Sequence, residues 1–229
     1  MKTRKALIAG ASGLVGGYCL RLLLESDIYE QVTAFVRREI PVSNPKLVQR
    51  VIDFNRIARL STFPRVDDVF CSLGTTIKTA GSQDAFYKVD FTYVHELARL
   101  ASLSRSRQFL LVSSQGANPK SGIFYTRVKG EIEEAVKKLA FEGLYIFRPS
   151  LLVGQRSESR PGEAAMNTLL SAVSFALVGP AARYRPIKAE TVASAMVRVA
   201  RQGYRGTHVF ESDRIRELGE AAPLAGSAA

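Results

Sequence analysis

The stretch that most constrains this chain is Lys5–Glu25, KALIAGASGLVGGYCLRLLLE. An apolar run of strand length meets Gly10, Gly13 and Gly16 and passes straight into an amphipathic helical pattern. Each glycine has a physical task in such a unit: a tight turn, a close approach of backbone to a ligand, and close packing of helix on strand. The helix behind the loop offers unpaired N–H groups and the positive end of its dipole, which suit a pyrophosphate. The spacing is GxxGxxG rather than GxGxxG. A rival reading makes the same stretch an export signal, with Lys2, Arg4 and Lys5 ahead of an apolar middle and Cys19 as the lipid-bearing residue. Tyr18 stands where a small residue would be required, and Arg21 and Glu25 continue the amphipathic helix. A nucleotide cradle is therefore expected, with Gly10, Ser12, Gly13, Leu14, Val15 and Gly16 as its contact residues.

Further apolar runs of strand length fall at Val32–Val36, Leu47–Ile52, Val66–Ser72, Phe109–Ser113 and Leu144–Phe147. Most are continuously apolar, as strands covered on both faces should be. Helical patterns lie between them, clearest at Leu14–Leu24, Ala85–Ser104 and Arg127–Phe141. In the second, Val89, Tyr93, Leu97, Leu100 and Leu103 fall on one stripe. This alternation predicts an α/β fold, a doubly wound parallel sheet. After Pro149 the pattern changes. A loop, Gly154–Gly162, leads to helical segments near Glu163–Val178 and Glu190–Arg201, then a short strand, Thr207–Phe210. No linker-like composition intervenes, so residues 1–229 read as a single domain, with 150–229 contributing most of a small C-terminal α+β substrate lobe. The apolar stretch Thr168–Ala182 is too short and too interrupted to predict a membrane span.

The chain of 229 residues carries a net charge of +11, which calls for acidic partners such as phosphates. The charge is spread in small groups, with no nucleic-acid motif, so no specific nucleic-acid partner is expected. Cys19 and Cys71 lie far apart in apolar runs, and neither has a ligand neighbour at metal-site spacing. Reduced core thiols, no metal site and a cytoplasmic location are the expectation.

The end of the second strand reads TAFVRRE. An NAD-binding unit of this kind wants an acid there, roughly 20 positions past the glycine loop, for the ribose 2′-hydroxyl. Arg37 and Arg38 occupy the place, and guanidinium forks suit a 2′-phosphate instead. NADP(H) is the expected cofactor. Asp53, at a strand end, is a candidate for the adenine amino group with Phe54 beside it. Leu73, Gly74 and Thr75, after the fourth strand, would line the cofactor's middle.

The fifth strand ends FLLVSSQGA, and FYTRVKGEIEEA follows. Tyr125 and Lys129 are four apart and share one helix face. A lysine ammonium near a tyrosine phenol favours the phenolate and makes the tyrosine a usable acid or base. A strand-end serine would orient the substrate oxygen. Ser113 and Ser114 both qualify, and the position just past the strand favours Ser114.

These residues resemble the short-chain dehydrogenase/reductase superfamily: GxxGxxG, Ser113-Ser114 and Tyr125-x-x-x-Lys129. CSLGTT, FYKVDFTYV, SSQGA, YTRVKGEIE, FRPSLLVGQRSESRPGE and FESDRIREL are similar to an atypical subgroup containing the Tat-interacting-protein-like oxidoreductases. The resemblance implies a Rossmann-type, NADP-binding fold with a Ser114–Tyr125–Lys129 site. It also implies that Lys129 holds the nicotinamide ribose, and that Pro149 and Leu152 flank the nicotinamide. Many members carry an asparagine in the helix before the serine strand, where this chain has Asp90. The expected activity is hydride transfer to or from a small carbonyl or alcohol substrate; the short lobe disfavours a large nucleotide sugar. An NADP(H)-binding regulatory or assembly protein with little turnover is the alternative. A homodimer through the long helices flanking the fifth strand is what the family suggests.

Overall fold

A computed structural model describes residues 3–154 and 185–221. The strands of its main sheet are β1 (Arg4–Ala9), β2 (Tyr29–Val36), β3 (Leu47–Val51), β4 (Asp68–Cys71), β5 (Gln108–Val112), β6 (Gly143–Arg148) and β9 (Gly206–Glu211). They lie in the order β3-β2-β1-β4-β5-β6-β9, and every neighbouring pair runs parallel. The chain winds outward from β1 to β3 and then restarts on the other side with β4. That reversal opens a crevice at the carboxyl ends of β1 and β4, where doubly wound sheets bind their ligands.

Side chains alternate between the two faces of the strands. Ala6 and Ile8 enter one core with Leu20 and Leu23 of α1 (Leu14–Glu25) and Met196 and Val199 of α6 (Ala189–Gln202). Leu7 and Ala9 enter the other with Leu97 of α4 (Val94–Leu103) and Ile132 and Val136 of α5 (Phe124–Lys137). Continuous apolarity in β1, β4, β5 and β6 follows from this double cover. β3 is an edge strand and reads LVQRV, with Val51 exposed.

The helical run expected over Ala85–Ser104 forms as three joined pieces: α3 (Gln83–Tyr87), a π-helical turn (Lys88–Tyr93) and α4. The stripe read at Val89, Tyr93, Leu97, Leu100 and Leu103 is displaced. The buried face is instead Asp90, Val94, Leu97, Ala98 and Ala101, while Leu103 is 69% exposed. The wider turn holds more than 3.6 residues and so resets the phase of the helix. The four-residue α2 (Ile77–Ala80) precedes this region.

Within 150–221, β9 joins the main sheet beside β6. α6 packs beside α1, where Arg21 and Glu190 form an exposed pair at 2.7 Å, worth at most about 1 kcal/mol. α7 (Ser212–Glu220) lies so close to α6 that a Cβ on Gly219 would stand 2.1 Å from the Thr191 carbonyl oxygen. A two-stranded parallel pair, β7 (Leu152–Val153) with β8 (Ile187–Lys188), was not anticipated. The helix expected near Glu163–Val178, the stretch Thr168–Ala182 and the loop beyond Gly154 lie outside the described residues.

At the amino ends of the strands Asp68 is 1% exposed. Its Oδ2 accepts from the Tyr29 hydroxyl at 2.7 Å and from Arg4 at 3.4 Å, while Oδ1 has no partner. Burial pushes its carboxyl up to about 6, against the opposing pull of Tyr29 and Arg4. A raised folded value means that the folded state binds the proton more tightly. Stability from this group is full below about pH 4 and is lost as pH rises to about 6. Asp68→Asn removes the charge and keeps an acceptor for Tyr29. Relative to the wild type, the variant should gain about 2–3 kcal/mol between pH 4 and pH 7, read by chemical denaturation at several pH values. Parallel pH dependences would contradict this.

Candidate active site

A cavity of about 620 Å³ occupies the crevice at the sheet's switch point. Its near wall is the loop between β1 and α1. Gly10 sits at φ +92°, and a Cβ there would lie 2.6 Å from the Ser72 carbonyl oxygen, so only glycine fits. A Cβ on Gly16 would stand 2.0 Å from the Gly10 carbonyl oxygen, which explains the close seating of α1 on β1. Gly10, Ser12, Gly13, Leu14 and Val15 line the cavity; Gly16 lies behind them as the packing glycine. α1 begins with Gly13 at its N-cap and no side chain capping it. Its first-turn amides are therefore available to an anion.

At the end of β2, Arg37 reaches the cavity, while Arg38 is exposed and does not line it. Phe54 lines the same end, but Asp53 does not. Asp53 caps its own 3-10 turn, accepting from the Asn55 amide and side chain at 2.9 Å each. Those hydrogen bonds hold its carboxyl below the usual range. Asp53 Oδ1 thus serves local structure. Tyr93 stands here instead, its ring 5.8 Å from that of Phe54 and its hydroxyl donating to Asn55 at 2.6 Å. The sequence placed Tyr93 in a core stripe, and only the π-helical turn brings it to the cavity.

The middle of the cavity is formed by Leu73, Gly74 and Thr75 after β4, with Tyr125 and Lys129 of α5 opposite. α5 is pressed onto the preceding loop, since a Cβ on Gly130 would lie 2.2 Å from the Pro119 nitrogen. The ring of Tyr125 packs 5.4 Å from fully buried Phe86 of α3. Lys129 is buried, and its Nζ lies 2.7 Å from Asp90 Oδ1. Burial alone would lower the lysine's pKa. Asp90, then Tyr125, outweigh it, and the net shift is upward. Lys129 is accordingly an ammonium at neutral pH.

The two serines after β5 differ in their commitments. Ser113 is buried and donates to Glu133, which lies one helical turn beyond Lys129 on α5. Glu133 is also gripped by Arg148, Nη2 to Oε2 at 2.6 Å, and Arg148 reaches Glu211 at 2.9 Å. The hydrogen bonds that Arg148 donates to Glu133 chiefly hold the guanidinium above its ordinary value. Ser114 makes one long bond, 3.2 Å, to the adjacent Gln115 carbonyl. The cavity is lined by Ser113 and not by Ser114. Leu152 lines it too, whereas Pro149 does not, its carbonyl accepting from the Gln115 amide. Among the described residues no helix is long and apolar enough to cross a membrane.

The comparisons agree with this architecture. Rat Protein HTATIP2 is 38% identical over 167 residues, covering 71% of this chain and 69% of that protein. Protein fmp52, mitochondrial, of Aspergillus clavatus is 40% identical over 166 residues, covering 69% of this chain and 71% of the relative. Among solved structures, human epimerase family protein SDR39U1 with NADPH superposes with a TM-score of 0.62 at 16% identity, covering 90% of this chain and 74% of that one. MoeE5 in complex with UDP-glucose and NAD gives 0.64, again at 16% identity and with 90% and 74% covered. At that identity the two structures speak for the fold alone. The chain belongs to the NAD dependent epimerase/dehydratase family, whose model matches residues 6–211.

Proposed function

We propose that this family member is an NADP(H)-dependent oxidoreductase that interconverts a small carbonyl compound and its alcohol. The observation that carries the reading is the convergence of the glycine loop, Arg37, Tyr125 and Lys129 on one cavity. The donor set suits a dinucleotide: a loop that leaves no room for a Cβ at Gly10, an uncapped helix N-terminus for the pyrophosphate, and a guanidinium where an NAD-binding unit carries an acid. Gly10, Ser12, Gly13, Leu14 and Val15 would hold the diphosphate. Arg37 would hold the 2′-phosphate, and Phe54 with Tyr93 the adenine. When bound, the nicotinamide supplies or accepts hydride at the carbonyl carbon.

Tyr125 gives its hydroxyl proton to the substrate oxygen in reduction and takes it back in oxidation. Lys129 remains an ammonium beside it and would contact the nicotinamide ribose. Ser114 is the serine free to bond the substrate oxygen, because turning away from Gln115 costs it one long local bond. Ser113 cannot do so without abandoning the buried Glu133 carboxylate. The solved structures of this fold with UDP-sugars are larger chains, and a small substrate is our reading for this one. The fungal relatives are named mitochondrial. Two buried free thiols, Cys19 and Cys71, suit any reducing compartment, the cytoplasm expected from the sequence among them.

A second reading, an NADP(H)-binding regulatory protein with little turnover, draws on two observations. Ser114 does not line the cavity, and the charge of Lys129 is matched by Asp90.

Arg37→Glu should weaken NADPH binding by about 10–100-fold and NADH binding by about threefold or less, measured by titration calorimetry. Equal losses would remove the 2′-phosphate assignment. Tyr125→Phe should lower turnover by about 10²–10⁴-fold while leaving NADPH affinity within about threefold. Wild-type activity in that variant would exclude the mechanism.

A further inference from the structure

Asp90 is a buried carboxylate that the proposed chemistry does not use. It is 0% exposed, and it reaches the interior because the π-helical turn Lys88–Tyr93 rotates it away from the outer face. Its two carboxylate oxygens have separate partners. Oδ1 lies 2.7 Å from Lys129 Nζ, and Oδ2 accepts from the Thr75 backbone N–H at 2.9 Å. A Cβ on Gly74 would come within 3.3 Å of Asp90 Oδ1 and 3.6 Å of Lys129 Nζ, so the loop after β4 lies directly against the pair. One carboxylate therefore ties three elements together: the π turn, the cavity wall at Gly74–Thr75, and α5.

We propose that Asp90 is a positioning residue that clamps Lys129 to the Gly74–Thr75 wall and supplies the counter-charge for it. The proposal rests on the reading of Lys129 as a group that contacts the cofactor. π turns inside helices concentrate at functional sites. An asparagine at position 90 keeps the shape of the side chain but offers one acceptor oxygen where both partners are donors, so it would keep only one of the two contacts. It would leave a buried ammonium without an opposite charge, which is the costly state.

The groups facing Lys129 are few. Asp90 faces it from the π turn, Tyr125 from its own helix and Cys71 from β4. Cys71 is buried, and burial pushes its thiol up to about 12, so it carries no charge near neutrality. Glu133, on the next turn of α5, is engaged by Arg148 and Ser113. Asp90 is thus the only carboxylate among the described residues within ion-pair distance of Lys129.

The sign of the pH dependence separates this account from a merely structural one. In the wild type the lysine's value is raised, so its contribution is fully present below the unfolded value near pH 10.4 and is lost only above it. Between pH 5 and 9 the pair should add no slope. In Asp90→Asn the cost of the unpaired ammonium falls as it loses its proton, so stability should rise with pH between about 7 and 9. In Lys129→Met the cost of the unpaired carboxylate falls as it gains a proton, so stability should instead fall as pH rises from about 5 to about 8.

The experiment is thermal unfolding of the full chain at pH 5 to 9 for the wild type, both single variants and Asp90→Asn/Lys129→Met, with NADPH titrated into each. Each single variant should melt about 6 °C or more below the wild type at pH 7, with slopes of opposite sign. The double variant should recover part of the loss and show neither slope. NADPH affinity of Asp90→Asn should drop by about tenfold or more from pH 7 to 9, against less than about threefold for the wild type. If one single variant does not fold, the other still carries the sign test. Slopes matching the wild type in both variants would overturn the proposal. A wild type that binds no NADPH would instead overturn the cofactor reading, and the melting cycle would still decide the Asp90–Lys129 pair.

Discussion

The structure turns on one close approach, that of α1 to the turn that follows β1. With 2.0 Å between a hypothetical Cβ on Gly16 and the Gly10 carbonyl oxygen, the first helix can sit where it does only because that side chain is missing. The seating aims the uncapped N-terminus of α1 into the crevice left by the reversal of strand order. Every other feature of the cavity is arranged around that fixed positive end. Arg37 comes from the neighbouring β2, Gly74 and Thr75 from the loop after β4, and Tyr125 and Lys129 from α5 across the gap.

The two charged clusters behind the cavity have a division of labour. Glu133, Arg148 and Ser113 join α5 to the ends of β5 and β6, and so fix the helix that carries Tyr125 and Lys129. Asp90 joins the same helix to the opposite wall. Buried ion pairs of this kind add little net stability, because desolvation offsets much of the attraction, yet losing one partner is expensive. Their worth is geometric: they leave α5 one place to sit.

Much of this was legible in the sequence where the signal is local. The glycine loop announces itself because turn, backbone approach and helix start fall within seven residues, Gly10 to Gly16. Tyr125 and Lys129 share a face by spacing alone. Double burial of the strands is written in their unbroken apolarity. What was not legible depends on tertiary context. The π-helical turn shifts the helical phase by one residue, which turned Tyr93 toward the cavity and Asp90 into the interior against a 3.6-residue reading. Asp53, expected at the adenine, caps its own turn through Oδ1, a local use that strand-end position alone does not reveal. Ser113 is set apart from Ser114 by its place on the cavity wall and by a carboxylate on the opposite helix, and that pairing spans twenty residues, Ser113 to Glu133.

The central claim is that this cavity is an NADP(H) site, and the most direct measurement is calorimetric titration of the purified wild-type chain with NADPH and with NADH. The account predicts saturable binding of both, with NADPH tighter by about tenfold or more because only it carries a 2′-phosphate for Arg37. Absence of binding to either dinucleotide, or a preference for NADH, would contradict it.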